Sequence, residues 1–215
     1  MTVDGMSYRR HGRALVALAL PLAGSQLAHA AVGLTDTIML GWYSVETLAA
    51  GVLANSIFFT LFVVGSGFAQ AVMPMVASAA SANDPQQIRR ITRMGLWLSL
   101  LTAACLMPIM WWCKPILELL RQDPEIASLT QTYMRIAGWS LFPALLVMVF
   151  RSYLAAQERA QVIFWITVLG GIGNALANWV LIFGKWGFPE LGIAGAAIAT
   201  LLNQLLVLAG LCFYA

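Results

Sequence analysis

HAAVGLTDTIMLGW, residues 29–42, holds one formally charged side chain, Asp36. The apolar run around it starts at Ala14 and meets no other charge until Glu46. A bilayer with a ~30 Å hydrocarbon core is crossed by about 20 residues of helix, so the run is long enough to span it. An aspartate at the centre of such a helix costs roughly 2.5–3.5 kcal/mol on insertion scales. Either the run does not span a membrane, or the carboxyl group has a use there. The rest of the chain decides between the two.

Of 215 residues, 60% are hydrophobic and 10% charged, and the mean hydropathy is +0.81. A soluble domain carries about a quarter charged residues, and so few charges cannot dress a water-facing surface. The composition reads as an all-α integral membrane protein. The charges fall between long apolar runs, which is how a multi-span chain is punctuated. A net charge of +3 points to no nucleic-acid partner, because the basic residues do not gather on one soluble face. Cys105, Cys113 and Cys212 lack metal-ligand spacing and read as small apolar side chains.

Uncharged runs give six spans, at about 14–42, 47–82, 95–113, 136–154, 162–184 and 191–215, so that residues 1–215 form one six-helix lobe. Residues 115–132, with Glu118, Arg121, Asp123 and Glu125, read as a short interfacial helix and loop. Lys and Arg set the orientation. Arg9, Arg10, Arg13, Arg89, Arg90, Arg93, Arg151 and Arg159 place eight of the 12 basic residues on one side. Both ends are therefore expected in the cytoplasm, with the chain multi-pass in the inner (plasma) membrane. The segment from Tyr8 to Ala30 also has the outline of a secretory signal, but its apolar run continues to Leu40 and five more spans follow. The chain ends within an apolar run, LAGLCFYA, and is expected to be half of a longer protein.

Polar residues inside the spans form stripes. At about 100° per residue, Ser25, His29 and Asp36 project within roughly 40° of one another, with Gln26 and Gly33 flanking them and Pro21 available for a bend. Gly170, Asn174 and Asn178 are spaced i, i+4, i+8 and stack on one face of the fifth span. The sixth adds Thr200, Asn203 and Gln204 after a run of small residues that lets helices approach closely. For Asn203 and Gln204 the reading is interhelical hydrogen bonding, and for His29 a neutral hydrogen-bonding role. Spacing alone leaves Asn174 and Asn178 open between glue and function. Asp36 differs, because Ala or Ser would pack as well without the desolvation cost. Arg135 and Arg151 sit near span ends, where snorkelling accounts for them. A carboxyl group at such depth can carry a proton, or, when ionised among amide and hydroxyl oxygens, hold a sodium ion. No HExxH, GxSxG, P-loop or Cys/His cluster points to an enzyme.

Three stretches carry a resemblance. LPLAGSQLAHAAVGLTDTIMLG (20–41), FRSYLAAQERAQ (150–161) and GGIGNALANWVLIFGKWGFPELGIAGAAIAT (170–200) resemble the N-terminal lobe of multidrug and toxic compound extrusion (MATE) transporters of the NorM-like branch. The resemblance implies a two-lobe (6+6) transporter, of which this chain matches the first lobe and lacks the second. It implies export of small organic cations in exchange for sodium ions or protons, with no cofactor. It puts the cation-site acid at Asp36, which would hold sodium in a sodium-coupled member, and the site's asparagine and threonine at Asn174 and Thr200. Asn178 stands where several members carry a second aspartate, which leaves the coupling ion open. Asn178 is expected in the same cation or proton site, and Gln26 and His29 in the substrate cavity. Two rival readings are a lipid or oligosaccharide flippase of the same superfamily, which would need a cationic cluster for phosphates, and a non-transporting membrane scaffold.

Overall fold

The computed structural model describes the backbone of residues 8–214 and the side chains from Val16 onward, residues 17, 18 and 215 excepted. The side chains of Arg9, Arg10 and Arg13, which form the expected basic N-terminal flank, and Ala215 of the sixth span lie outside that description. All regular structure among the described residues is helical. The long elements are α1 (Tyr8–Tyr43), α2 (Val45–Ser81) and α3 (Pro85–Trp111). A short α4 (Cys113–Leu119) and then α5 (Pro124–Ala137) follow, and α5 runs through a 3₁₀ turn at Gly138–Ser140 into α6 (Leu141–Ala156). The last two are α7 (Ala160–Phe183) and α8 (Ile193–Tyr214).

Helix starts follow the local chemistry. Ser44 is the sole link between α1 and α2 and accepts from the Thr47 N–H at 3.1 Å, while Thr47 Oγ1 donates to the Leu40 carbonyl at 3.0 Å. Asp84 and Asp123 cap α3 and α5, each followed by a proline at the first helical position, where a missing N–H costs nothing. Pro74 does not end the second span, because α2 passes through it to Ser81. At ~1.5 Å per residue, its 37 residues reach about 55 Å, well beyond the hydrocarbon.

Five helical stretches among the described residues are long and apolar enough to cross a bilayer. They are α2, α3, the continuous Pro124–Ala156, α7 and α8. With 36 residues, α1 is long enough as well, and its polar stripe lowers its mean hydropathy. The fourth of these departs from expectation. Residues 124–132 are not an interfacial loop but the first turns of α5. Glu125 and Arg135 lie on its exposed side, whereas Ala127, Thr130, Gln131, Tyr133, Met134 and Ala137 face inward. The interfacial piece shrinks to α4 and the turn after it.

The core is continuous at the bundle end that holds Leu40, Ala50, Met110, Leu117, Met134, Ile182 and Ile193. Toward the other end it divides. One branch packs Ala69, Val72, Val76 and Ile91 against Val149; the other packs Val147 and Leu154 against Ile163, Val207 and Leu211. Many large apolar side chains outside the cavity lining are exposed, among them Leu20, Leu27, Leu101, Trp165, Leu169 and Leu206. An apolar exterior on this scale requires lipid or protein cover. Together with the span-length helices it makes the chain a multi-pass membrane protein.

Candidate functional site

The split core leaves a cavity of about 960 Å³ between α1, α2, α5, α6, α7 and α8. That is at the upper end of small-molecule pockets, ~300–1,000 Å³. Its α2 wall is aromatic, with Phe58, Phe59 and Phe62. The polar stripe of α1 provides the opposite wall through Ser25, Gln26, His29 and Asp36.

Close helix contact holds the stripe in place. A Cβ on Gly171 of α7 would meet Val32 of α1 at 2.9 Å, and one on Gly195 of α8 would meet the Leu181 carbonyl oxygen of α7 at 2.5 Å. Without side chains at these points, α1 can lie along α7, and α7 against α8. As a result, Asn178 Nδ2 donates to Asp36 Oδ1 and also, at 3.1 Å, to Asn174 Oδ1. Asn174 and Asn178 are 2% and 0% exposed, and Asp36 is half-buried. The i, i+4 spacing therefore places a carboxylate and two amides in one hydrogen-bonded chain. Asp36 and Asn174 line the cavity, and Asn178 sits behind them as the donor.

Thr200 also lines the cavity. Its hydroxyl donates back to the Ala196 carbonyl at 3.0 Å and lies 3.4 Å from the Tyr133 hydroxyl. No hydrogen bond joins it to Asp36 among the described residues, so it borders the carboxylate–amide chain without being part of it. Tyr133 was not singled out in the sequence, because it falls beside a stretch that reads as interfacial. Its signal is the inward face repeated along residues 127, 130, 131, 133 and 134. Asn178 Oδ1 and Asn174 Nδ2 are buried with no hydrogen-bond partner. Such orphaned groups cost about 1–3 kcal/mol each, and natural proteins keep them where they serve a purpose.

Gln26 and His29 are exposed to the cavity at its other end, near Asn203 and Gln204. Arg151 requires a correction. It does not snorkel away from the bundle but turns inward, where its Nη2 donates to Ser25 Oγ at 3.1 Å and Gln26 Oε1 at 3.0 Å. The reason is local. Arg151 sits more than a turn inside α6, whose neighbour across the cavity is the polar face of α1, which offers the guanidinium acceptors that hydrocarbon lacks.

These features define an all-α membrane bundle built round a drug-sized cavity, with a carboxylate–amide chain in one wall. The chain belongs to the MatE family, whose profile matches residues 21–180. It is 47% identical over 195 residues to "Probable multidrug resistance protein NorM" of Rhizobium meliloti (strain 1021), covering 91% of this chain and 42% of that protein. Proteins of the same name from Agrobacterium fabrum (strain C58 / ATCC 33970) and Synechocystis sp. (strain ATCC 27184 / PCC 6803 / Kazusa) are 40% and 37% identical, over 91% and 94% of this chain and 42% and 44% of theirs. The chain thus spans less than half the length of these relatives. Among solved structures, a eukaryotic MATE transporter, AtDTX14, matches with a TM-score of 0.88 at 21% identity, over 96% of this chain and 45% of that one. A MATE transporter in the bent conformation matches with a TM-score of 0.85 at 22% identity, over 94% and 45%. The fold is one lobe of a MATE-type transporter.

Proposed function

We propose that this chain is the N-terminal lobe of an inner-membrane multidrug exporter that drives organic cations outward in exchange for sodium ions or protons. In this reading both termini of the lobe are cytoplasmic and a second lobe completes the transporter. The observation that carries it is the chain Asp36–Asn178–Asn174 in the wall of a large, partly aromatic cavity. A lone carboxylate at membrane depth is costly, and here it is backed by a buried amide instead of a permanent cation. Its charge is then available to a mobile cation.

The oxygens of Asp36, Asn174 and Thr200 are hard ligands suited to sodium, and Asn178 takes part in the site through the amide that donates to Asp36. Protonation of Asp36 would neutralise the same charge. Either event removes the attraction for an organic cation, so ion and substrate compete for one negative group. Ion entry would bias a rearrangement of α1, which contains Pro21, and so couple entry to substrate release. One charge moving through ~100 mV supplies about 2.3 kcal/mol, enough for moderate concentrative export.

The flippase reading is less well supported. Arg151 is the single Lys or Arg among the described cavity-lining residues, whereas phosphate headgroups call for a cluster. The test uses the full-length protein in vesicles with sodium and pH gradients imposed separately. Asp36→Asn should abolish coupled efflux while the protein still folds; undiminished efflux by that variant refutes the assignment. The gradient that drives the unmodified protein identifies the ion.

A further inference from the structure

Arg89, Arg90 and Arg93 lie in the first turns of α3, and all three are exposed. At about 100° per residue they fall within roughly 100° of arc, opposite the buried Ile91, Gly95 and Ser99. Four residues of helix rise about 6 Å, so three positive charges share one small patch. The single ion pair among the described residues is Lys114–Glu118, and no carboxylate neutralises the patch. Arg89 Nε donates to the Pro85 carbonyl at 3.3 Å, which leaves its two terminal nitrogens for a ligand. The helix end itself is already occupied, because Asp84 accepts from the Gln86 and Gln87 N–H groups at 3.1 and 2.9 Å.

The patch sits on a firm foot. Ile88 and Ile91 of α3 pack with Val76 and Ala79 of α2 and with Val149 and Tyr153 of α6. No residue of α3 lines the cavity, so its exposed side turns away from the centre of the bundle. On that side the charges give way directly to Met94, Trp97 and Leu101, which are 66%, 61% and 61% exposed. Trp97 and Leu101 follow Arg93 at i+4 and i+8, on the same face. From Gly95 to Trp111 the helix rises about 25 Å, most of a ~30 Å hydrocarbon core. The guanidinium groups therefore lie at the depth of lipid phosphates, with the indole just below them at the level that such rings favour.

We propose that Arg89, Arg90 and Arg93 bind the headgroup phosphate of an anionic phospholipid in the leaflet they face, with an acyl chain laid along Trp97 and Leu101. A guanidinium meets phosphate oxygens with two parallel N–H donors, and three on one face can surround the group. Attraction of basic residues to an anionic membrane surface is otherwise diffuse and falls off within a Debye length. Here an apolar tract continues from the charges, which suits an anion with a hydrocarbon chain attached and not a free phosphate. The site stands apart from the cavity and does not depend on the exporter reading.

The test adds phosphatidylglycerol or phosphatidylcholine to the purified full-length protein in detergent. Native mass spectrometry counts the lipids retained, and the melting temperature is followed against lipid concentration. The unmodified protein should retain phosphatidylglycerol and melt higher with it, whereas phosphatidylcholine should do neither. In the triple variant Arg89→Gln, Arg90→Gln, Arg93→Gln the half-maximal lipid concentration should rise at least about tenfold. The triple variant Arg9→Gln, Arg10→Gln, Arg13→Gln removes the same charge from the other basic cluster on the side expected to be cytoplasmic, and should change it by less than about twofold. Equal effects of the two variants would mean diffuse attraction and overturn the proposal, as would full retention of phosphatidylglycerol by the α3 variant. Trp97→Ala should raise the half-maximal concentration about threefold at unchanged charge; an unaltered value would remove the acyl chain from the site. Displacement of the lipid by glycerol phosphate would assign the arginines to a soluble phosphate and overturn the commitment to a lipid. Should the α3 triple variant fail to fold, Arg93→Gln alone should raise the half-maximal concentration about threefold, and no rise would overturn the proposal.

Discussion

At the residue scale, the carboxylate of Asp36 relies on one donor, the Asn178 amide. A hydrogen bond to a charged group contributes about 1.5–3 kcal/mol, and its loss leaves the carboxylate without a side-chain donor from the protein. Asn178→Ala should therefore lower the melting temperature in detergent and reduce coupled efflux, even though the substituted side chain does not line the cavity. Asn178→Asp should act differently. Two carboxylates within hydrogen-bond reach cannot both ionise and come to share a proton. Efflux by this variant should depend more steeply on an imposed pH gradient, as measured in vesicles with sodium held equal on both sides. That Asp36 and the Asn174/Asn178 pair each need a protein-facing side was legible in the sequence, from a charge inside an apolar run and an i, i+4 amide pair; that the three share one place followed from the resemblance and not from spacing. Arg151 was not legible. Distance from the end of a run says how deep a residue lies, but not whether the next helix offers acceptors, and Ser25 and Gln26 belong to a helix 125 residues away along the chain.

At the scale of elements, two joints show what sets helix ends and spacings. Gln131 of α5 ties down the break between α3 and α4: its Nε2 donates to the Trp111 carbonyl, and its Oε1 accepts from the Lys114 N–H at 2.7 Å. Gln131→Leu would orphan both backbone groups, at about 1–3 kcal/mol each, and should lower the melting temperature without altering coupled efflux in vesicles. Gly195→Val would press a side chain against the Leu181 carbonyl. Overpacking of this kind costs about 1–3 kcal/mol, and because it parts α7 from α8 it should also reduce coupled efflux in vesicles. The start of α5 was harder to read. Glu125 and Arg135 interrupt the apolar run, so the segment looks interfacial when charges are counted along the line. Folded as a helix, both charges fall on the exposed side, and Thr130, Gln131 and Tyr133 take the buried one. Hydropathy averages over the faces that a helix separates.

On the scale of the whole molecule, the distribution of Lys and Arg makes a prediction about sidedness. The α2–α3 turn contains Asn83, and the α7–α8 loop contains Glu190, on opposite ends of the bundle. In intact cells, a cysteine introduced at Glu190 should react with a membrane-impermeant thiol reagent from outside, and one at Asn83 should react only after permeabilisation. The reverse pattern would invert the lobe. Span-length runs were plain in the sequence because bilayer thickness sets them. The cavity was not, since it arises from how the core divides between two sets of helices. Tyr133 and Arg151 stand on either side of the 3₁₀ turn at Gly138–Ser140, where regular α-helical hydrogen bonding gives way to a tighter pattern that often marks a hinge. The wall they share is thus two rods with a coupling rather than a single beam. A small twist at that coupling would part the phenol from Thr200 without requiring the guanidinium to leave Ser25 and Gln26.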